Sequence, residues 1–306
     1  MLTKYIFILS VITLFITVSC KEDKLDPNSV FVNSPIPQSE FDLWLQKNFV
    51  SNYNIEVLYK YVDIESDMDY NLSPASYENS VRLAKLIKYL ALEPYDEITG
   101  SKEFIKMNFP KMLNFIGSGA YNNNGTFILG TAEGGRKITM FLVNEIAENA
   151  EDIRFLNEFF FKTIHHEFGH ILNQNKPYAV SFRIISEGKY IQDSWNSNWA
   201  SEAAAISAGF ISPYASKAHT EDFVEILSTY ITNSNTEWTN ILNRGSAAGR
   251  DIINSKLIIV KDYMLQSWNI DLDKLRNNII ARQNNLSNFE NILSCLLLNG
   301  TLTTSP

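Results

Sequence analysis

Three of the four histidines in the chain, His165, His166 and His170, fall within six residues. Residues four apart on a helix share one face, with Cβ atoms about 5–6 Å apart, so His166 and His170 can turn ring nitrogens toward one metal ion. Glu167 follows the first of them, and from there a carboxylate can take a proton from an activated water. This H-E-x-x-H spacing predicts a helical zinc site with His166 and His170 as ligands and Glu167 as general base. The alternative is a chance match on a buried helix.

A catalytic zinc site needs a third protein ligand and keeps a fourth position open for water. A third histidine at the metzincin spacing would fall at position 176, which is Lys176 here, and the glycine of that pattern is replaced by Asn173. No cysteine lies nearby. We therefore expect an acidic ligand further along the chain, and the candidates are Glu187, Glu202 and Glu221.

Glu221 is the favoured candidate, because Glu221 and Glu225 lie four residues apart at the start of a helical pattern. Apolar residues around them would bury the opposite side of that helix. One carboxylate could then bind zinc while the other orients a ligand histidine. Glu202 also begins a helical segment and stays open as an alternative, whereas Glu187 is less favoured.

Tyr214 lies seven residues before Glu221, within the stretch GFISPYAS at residues 209–216. The spacing Y-x6-E-x3-E resembles that of the lethal-factor-type gluzincins. The resemblance implies that Glu221 binds zinc and that Glu225 supports the ligands from outside. It also implies that the hydroxyl of Tyr214 donates to the oxyanion formed during hydrolysis.

The two remaining histidines receive no ligand role. His165 points away from the face that carries His166 and His170, so we expect it on the helix surface or behind the ligands. His219 is expected at the start of the helix that carries Glu221.

Hydrophobic periodicity predicts an α+β domain around these residues. Strands are expected at residues 53–64 and 111–116, and a hairpin joins 126–129 to 137–143, whose second strand is predicted to form the edge of the cleft. The zinc helix is expected over residues 152–174, where Gly169 would allow another element to approach closely. Further helices are predicted to begin at Ser39 and to cover 73–93, 199–207, 222–232, 251–265 and 271–286. This order resembles the zincin-like metallopeptidase fold, with a small mixed sheet, an active-site helix and a helical C-terminal part.

Composition excludes several classes of function. The chain has 306 residues, 45% of them hydrophobic and 20% charged, which is ordinary for a globular protein with a sizeable core. A net charge of −8 argues against nucleic acid as a partner and against a basic membrane-binding surface. Two cysteines cannot form a disulfide framework.

The first nineteen residues predict a secretory signal peptide, because the apolar run from Ile6 to Val18 is too short for an ordinary membrane-spanning helix. The sequence TVSC at residues 17–20 resembles a bacterial lipobox, although Thr17 stands where leucine is usual. Cleavage there would leave Cys20 as the first residue and as the carrier of lipid. The alternative is a secreted protein in which Cys20 is buried.

Residues 20–38 are polar and contain three prolines, which predicts a flexible tether before a catalytic domain at 39–298. Within that domain, 39–175 would form the sheet and zinc helix and 176–298 the helical part with the third ligand. The sequence KED at residues 21–23 resembles the signal that sends some lipoproteins to the outer face of the outer membrane. The expected location is therefore the cell envelope, on an outer-membrane lipid anchor exposed at the surface.

Nearly the whole chain resembles the substrate import-associated zinc metallohydrolase lipoproteins, a group of zinc-binding metallopeptidases. The resemblance is carried by the lipobox and by YNIEV at 53–57, HHEFGHILNQ at 165–174, GFISPYAS at 209–216, EDFVE at 221–225 and WNIDLDKLR at 268–276. It implies one Zn²⁺ per chain, a peptide or protein substrate and components of an outer-membrane nutrient-import system as partners.

The sequence thus predicts a metalloendopeptidase-like hydrolase in which Glu167 deprotonates water for attack on a peptide carbonyl. The alternative is a non-catalytic accessory lipoprotein that captures a peptide or glycan for import, whose expected signature is a lost ligand or base. Neither is lost here, which favours the enzyme. A metallohydrolase that acts on a non-peptide bond also remains open.

The lipid anchor can be tested by substitution of Cys20. Cys20→Ser removes the thiol that would carry the lipid, and a polar tether alone does not hold a membrane, so the variant should be released as soluble protein. Incorporation of labelled fatty acid into the wild type and the variant measures this. Label on the Cys20→Ser protein would contradict the lipobox interpretation.

Overall fold

The computed structural model describes residues 38–67, 69–121, 127–128, 130–133 and 136–289. The predictions for the signal peptide, Cys20, the tether up to residue 37 and the domain end beyond residue 289 lie outside the described residues, so the predicted domain division stays a prediction. No helix among the described residues is both long enough and apolar enough to cross a membrane.

The fold is mixed α and β, and helix predominates. The described α-helices, in chain order, are α1 Glu40–Leu45, α2 Ser51–Tyr53, α3 Tyr77–Ile87, α4 Glu93–Thr99, α5 Glu103–Asn108, α6 Ile146–Asn149, α7 Ile153–Leu156, α8 Lys162–Asn175, α9 Val180–Ile185, α10 Trp195–Asn198, α11 Glu202–Ser207, α12 His219–Thr232, α13 Asn235–Leu242, α14 Ala247–Trp268 and α15 Leu272–Asn284. Turns of π-helix at Gln46–Val50, Lys88–Leu92 and Asn157–Phe161 join α1 to α2, α3 to α4 and α7 to α8.

Local capping sets where several helices begin. Ser39 and Asp42 exchange hydrogen bonds between side chains and backbone at the start of α1, as the serine and early acids predict. The second predicted helix begins at Tyr77 rather than at residue 73, because the side chain of Ser76 accepts a hydrogen bond from the amide of Asn79. Asp152 caps α7 in the same way, so one continuous helical stretch runs from there through α8, close to the predicted zinc helix.

The principal sheet has the strand order β1-β2-β6-β5. The described strands are β1 Glu56–Leu58, β2 Met112–Phe115, β3 Ala120–Tyr121, β4 Phe127–Ile128, β5 Gly130–Glu133 and β6 Lys137–Met140. β1, β2 and β6 run parallel, and β5 pairs with β6 antiparallel. β3 and β4 form a separate antiparallel pair.

Three expectations about strands are corrected. Only Glu56–Leu58 of the long stretch at 53–64 is a strand. The hairpin partner of β6 is β5, since Phe127–Ile128 pairs with β3 instead. β6 is hydrogen-bonded on both sides, to β2 and to β5, so the strand predicted at the edge of the cleft is internal, and β5 is the edge strand on that side of the sheet.

The histidine helix, α8, packs directly against the glutamate helix, α12, at Gly169. A Cβ atom on Gly169 would lie 2.9 Å from Cγ1 of Val224 and 3.0 Å from Cδ2 of Leu227, closer than side chains normally approach. Glycine inside a helix costs about 1 kcal/mol relative to alanine, and here that cost is offset by the contact it allows. The close approach expected from the sequence is therefore made by the helix that carries Glu221 and Glu225.

Candidate metal centre

One ring nitrogen from each of two histidines meets one carboxylate where these helices touch. Nε2 of His166 and Nε2 of His170 each lie 3.1 Å from Oε2 of Glu221. The donor atoms of the three residues all lie within 4.8 Å of one another, a grouping able to hold a metal ion. The structure thus brings together the two histidines of the motif and the favoured acid.

The donor set fits zinc. Two imidazoles and one carboxylate form a typical catalytic zinc ligand set, and tetrahedral bonds of 2.0–2.1 Å place ligand atoms about 3.3 Å apart. The observed 3.1 Å separations match that spacing. Burial raises the pKa of Glu221, but hydrogen bonds and the charges of His166 and His170 outweigh it and hold that pKa well below its usual range. Glu221 is therefore ionised and ready to bind a cation.

Glu225 holds His166 from the side opposite Glu221. Nδ1 of His166 donates to Oε1 of Glu225 at 3.0 Å, and this leaves the other ring nitrogen, Nε2, facing the carboxylate of Glu221. Lys162, one turn earlier on the histidine helix, lies 2.9 Å from Oε2 of Glu225. Burial raises the pKa of Glu225, but Lys162, His166 and Ser212 lower it more, so the buried carboxylate stays charged. Glu225 is therefore placed to orient the ring of His166.

The carboxylates of Glu221 and Glu225 flank the imidazole of His166 and favour a positive charge on that ring. Burial lowers the pKa of His166, but hydrogen bonds to Glu221 and Glu225 outweigh burial and raise that pKa to about 9. The same electrostatic field stabilises a metal cation at this position.

Tyr214 lies beside the same ring. Its ring centroid is 5.9 Å from that of His166, and Trp195 packs edge-on against it at 5.0 Å. Burial, followed by the negative charges of Glu221, Glu167 and Glu225, raises the pKa of the Tyr214 phenol above its ordinary value. The hydroxyl therefore keeps its proton at neutral pH and can donate a hydrogen bond.

Glu167 is half-buried and directly follows His166 on the histidine helix. Burial raises the pKa of its carboxyl above the usual value, and the nearby positive charges of His166 and His170 partly offset this. A carboxylate with a raised pKa binds a proton more strongly than an exposed one, as a general base requires.

His165 is buried, which corrects the helix-surface expectation. It is 1% exposed, and Tyr95 OH lies 3.2 Å from its Nδ1. Burial lowers the pKa of His165 to about 3, so its ring is neutral. It does point away from the ligand face, into the core, where its ring lies 5.8 Å from that of Tyr95.

The other candidate acids lie on the protein surface. Glu187 forms an exposed ion pair with Arg183 at 3.7 Å, and Glu202 pairs with Arg244. Neither belongs to the group of possible metal ligands among the described residues. His219 is in the first turn of the glutamate helix, with its Nδ1 2.7 Å from Tyr178 OH, and it is likewise outside that group.

Sequence reasoning missed Ser212. Its hydroxyl donates to Oε2 of Glu225 at 2.5 Å and accepts from the amide of Ala215 at 3.1 Å. This one side chain therefore joins the turn that carries Tyr214 to the carboxylate that holds His166. Its place before Pro213 is a turn signal in the sequence, but the link to Glu225 comes from the fold.

Sequence reasoning also missed Lys162, although its place four residues before His166 is a readable signal for a shared helical face.

A buried lysine on α14, Lys256, supports the glutamate helix from another element. Nζ of Lys256 lies 2.5 Å from Oδ2 of Asp222 and donates to the carbonyl of Gly209 at 2.8 Å. The pair therefore fixes both the glutamate helix and the start of the Tyr214 loop.

Comparison with known proteins shows which family the chain belongs to. A family model described as "Putative zinc-binding metallo-peptidase" matches residues 34–273. The chain belongs to this family. It is also similar to a crystal structure of "a putative zinc-binding metallo-peptidase" from Bacteroides caccae ATCC 43185, with 39% identity, a TM-score of 0.73, and coverage of 85% of this chain and 97% of that one. No curated protein matches the chain.

One prediction for this family member separates the three acids. Glu221→Ala removes the carboxylate that meets both histidines, so zinc affinity should fall by more than about 100-fold, beyond the loss typical of a supporting residue. Glu187→Ala and Glu202→Ala should leave zinc affinity unchanged. Competition with a chromogenic chelator measures all three, and a normal affinity in the Glu221 variant would place the third ligand elsewhere.

A second prediction concerns Ser212. Ser212→Ala removes a hydrogen bond to Glu225 and the support of the Tyr214 turn, so zinc affinity or turnover should fall about 10-fold. Ser212→Thr keeps the hydroxyl and should retain most of the zinc affinity or turnover that Ser212→Ala loses. Ser255→Ala is the matched control, because the hydroxyl of Ser255 bonds, among the described residues, to the backbone of its own helix. Equal behaviour of the Ser212→Ala and Ser255→Ala proteins would remove Ser212 from the site.

Proposed function

We propose that the protein is a zinc-dependent metallopeptidase that hydrolyses peptide bonds. The observation that carries the proposal is the meeting of His166, His170 and Glu221 through donor atoms at zinc-ligand spacing. Membership of the zinc-binding metallopeptidase family supports it. Zinc held there would supply Lewis acidity, which activates water and polarises a substrate carbonyl.

Glu167 is the proposed general base. Its carboxylate receives the proton that water loses as it attacks the carbonyl carbon, and then delivers that proton to the leaving amine. Burial favours this exchange, because it raises the pKa of Glu167 above the ordinary value.

Tyr214 is the proposed oxyanion donor. Negative charge develops on the carbonyl oxygen as the attack proceeds, and a protonated phenol can donate to it. The raised pKa of Tyr214 and its place beside the ring of His166 support this role.

We further propose that the protein acts at the cell envelope as a lipid-anchored partner of a nutrient-import system. The lipobox-like sequence that ends at Cys20 supports the anchor, and the resemblance to import-associated lipoproteins supports the partner. The loss of fatty-acid label expected for Cys20→Ser tests the anchor. Co-purification of the lipidated protein with an outer-membrane transporter, and its absence after that substitution, tests the partner.

The enzymatic proposal is tested with zinc-loaded protein and a peptide library. Wild type should cleave peptides and lose activity on chelation, whereas Glu167→Gln should keep one zinc per chain and lose turnover, because it removes the base and leaves the ligands. Tyr214→Phe keeps the ring packing and should lower kcat about 100-fold with little change in KM, since its hydrogen bond forms mainly in the transition state.

Three outcomes would change this assignment. Peptide binding without cleavage by the zinc-loaded wild type would indicate the non-catalytic accessory instead. Retained turnover in Glu167→Gln would remove that residue from the mechanism. A fall in kcat of less than about threefold in Tyr214→Phe, well short of the usual loss of a donor, would make Tyr214 a packing residue.

A further inference from the structure

A cavity of about 290 Å³ opens directly beside His170. Its walls come from the end of the histidine helix, the start of the glutamate helix and the segment between them, through residues that include Asn173, Tyr178, Arg183 and Thr220. His170 and Thr220, which directly precedes Glu221, both line the cavity. A group bound in it therefore lies next to the proposed metal.

The cavity lies on the more open side of the site. The side chain of His170 is 21% exposed, against 9% for His166. The nearby Val180 is 65% exposed at the cavity wall, and Pro177 and Tyr178 add further apolar surface. A substrate residue can therefore reach the cavity from solvent and bury an apolar stem in it.

Charge in the cavity has one sign. Arg183 lines it, and no aspartate or glutamate is among the described lining residues. His219, the other titratable ring on that wall, has its Nδ1 bonded to Tyr178 OH at 2.7 Å. Arg183 is the lining residue whose side chain is always charged, so it supplies the positive charge on this wall.

Two further features favour a polar, anionic ligand. Both amide atoms of Asn173 are buried without a hydrogen-bond partner among the described residues, and Asn173 lines the cavity. The glutamate helix begins there at His219 with no side-chain cap, so its first amides are available to donate to a bound ligand. Among the described residues Arg183 forms an ion pair with Glu187, at 3.7 Å on the surface, which holds the guanidinium weakly.

We propose that this cavity is a substrate subsite for a carboxylate on an apolar stem, with Arg183 as the residue that determines specificity. The inference rests on the proposed function, because it places the carboxylate next to the bond that is cleaved. The carboxylate can belong to an acidic side chain or to the C-terminus of the peptide.

The test measures binding on zinc-loaded Glu167→Gln protein, which keeps the metal ligands and lacks the base. One set of end-blocked fluorescent peptides carries a single glutamate at successive positions, a second carries glutamine there, and a third is the glutamine peptide with a free C-terminus. Fluorescence anisotropy should show about fivefold tighter binding of one carboxylate set than of its neutral match. The set that shows it identifies the source of the carboxylate.

Substitutions at Arg183 complete the test, with zinc content and circular dichroism checked for each. Arg183→Gln should abolish the preference, and Arg183→Glu should reverse it toward peptides with lysine at the same position. Glu187→Gln is the matched control, because it removes the surface partner of Arg183 and should keep or increase the preference.

Equal binding of carboxylate and neutral peptides, a preference that persists in Arg183→Gln, or no binding of any peptide would overturn the subsite. Turnover of the same peptides by wild type is measured separately. Turnover without an Arg183-dependent preference overturns the subsite and leaves the hydrolase. An Arg183-dependent preference without turnover overturns the hydrolase and leaves carboxylate binding.

Discussion

The candidate centre depends on the contact between the histidine helix and the glutamate helix at Gly169. A side chain there would meet Val224 and Leu227, so glycine sets how near the two helix axes can come. That separation decides whether Glu221 on one helix reaches Nε2 of both histidines on the other. Packed interiors do not deform continuously, so the arrangement of the three candidate ligands follows from this apolar contact.

The hydrogen bonds and ion pair of Glu225 then fix the orientation of the His166 ring. Its two oxygens serve three donors, namely His166, Lys162 and Ser212, which come from two separate parts of the chain. A buried carboxylate remains charged only where such partners compensate its desolvation. The same carboxylate thereby ties the ligand histidine to the turn that presents Tyr214, so the metal site and the proposed oxyanion donor are held as one unit.

The Lys256–Asp222 pair gives this unit a rigid support. Both side chains are fully buried, and the lysine also binds the carbonyl of Gly209 at the start of the Tyr214 loop. Losing either partner would leave an uncompensated charge in the core, which is strongly destabilising. The helix that carries Glu221 and the loop that carries Tyr214 are therefore constrained by one buried interaction.

The sequence by itself determined the parts of the site that lie on one element. His166, Glu167 and His170 sit on one helix, where spacing alone sets which side chains share a face, and the pair Glu221 and Glu225 follows the same rule. Tertiary structure decided which acid meets the histidines, since Glu202 also begins a helix and was an open alternative, and both Glu202 and Glu187 lie on the surface. It also placed β6 inside the sheet and His165 in the core, and it brought Ser212 to Glu225. These outcomes depend on contacts between residues distant in sequence, and local periodicity carries no information about which surfaces will pack together.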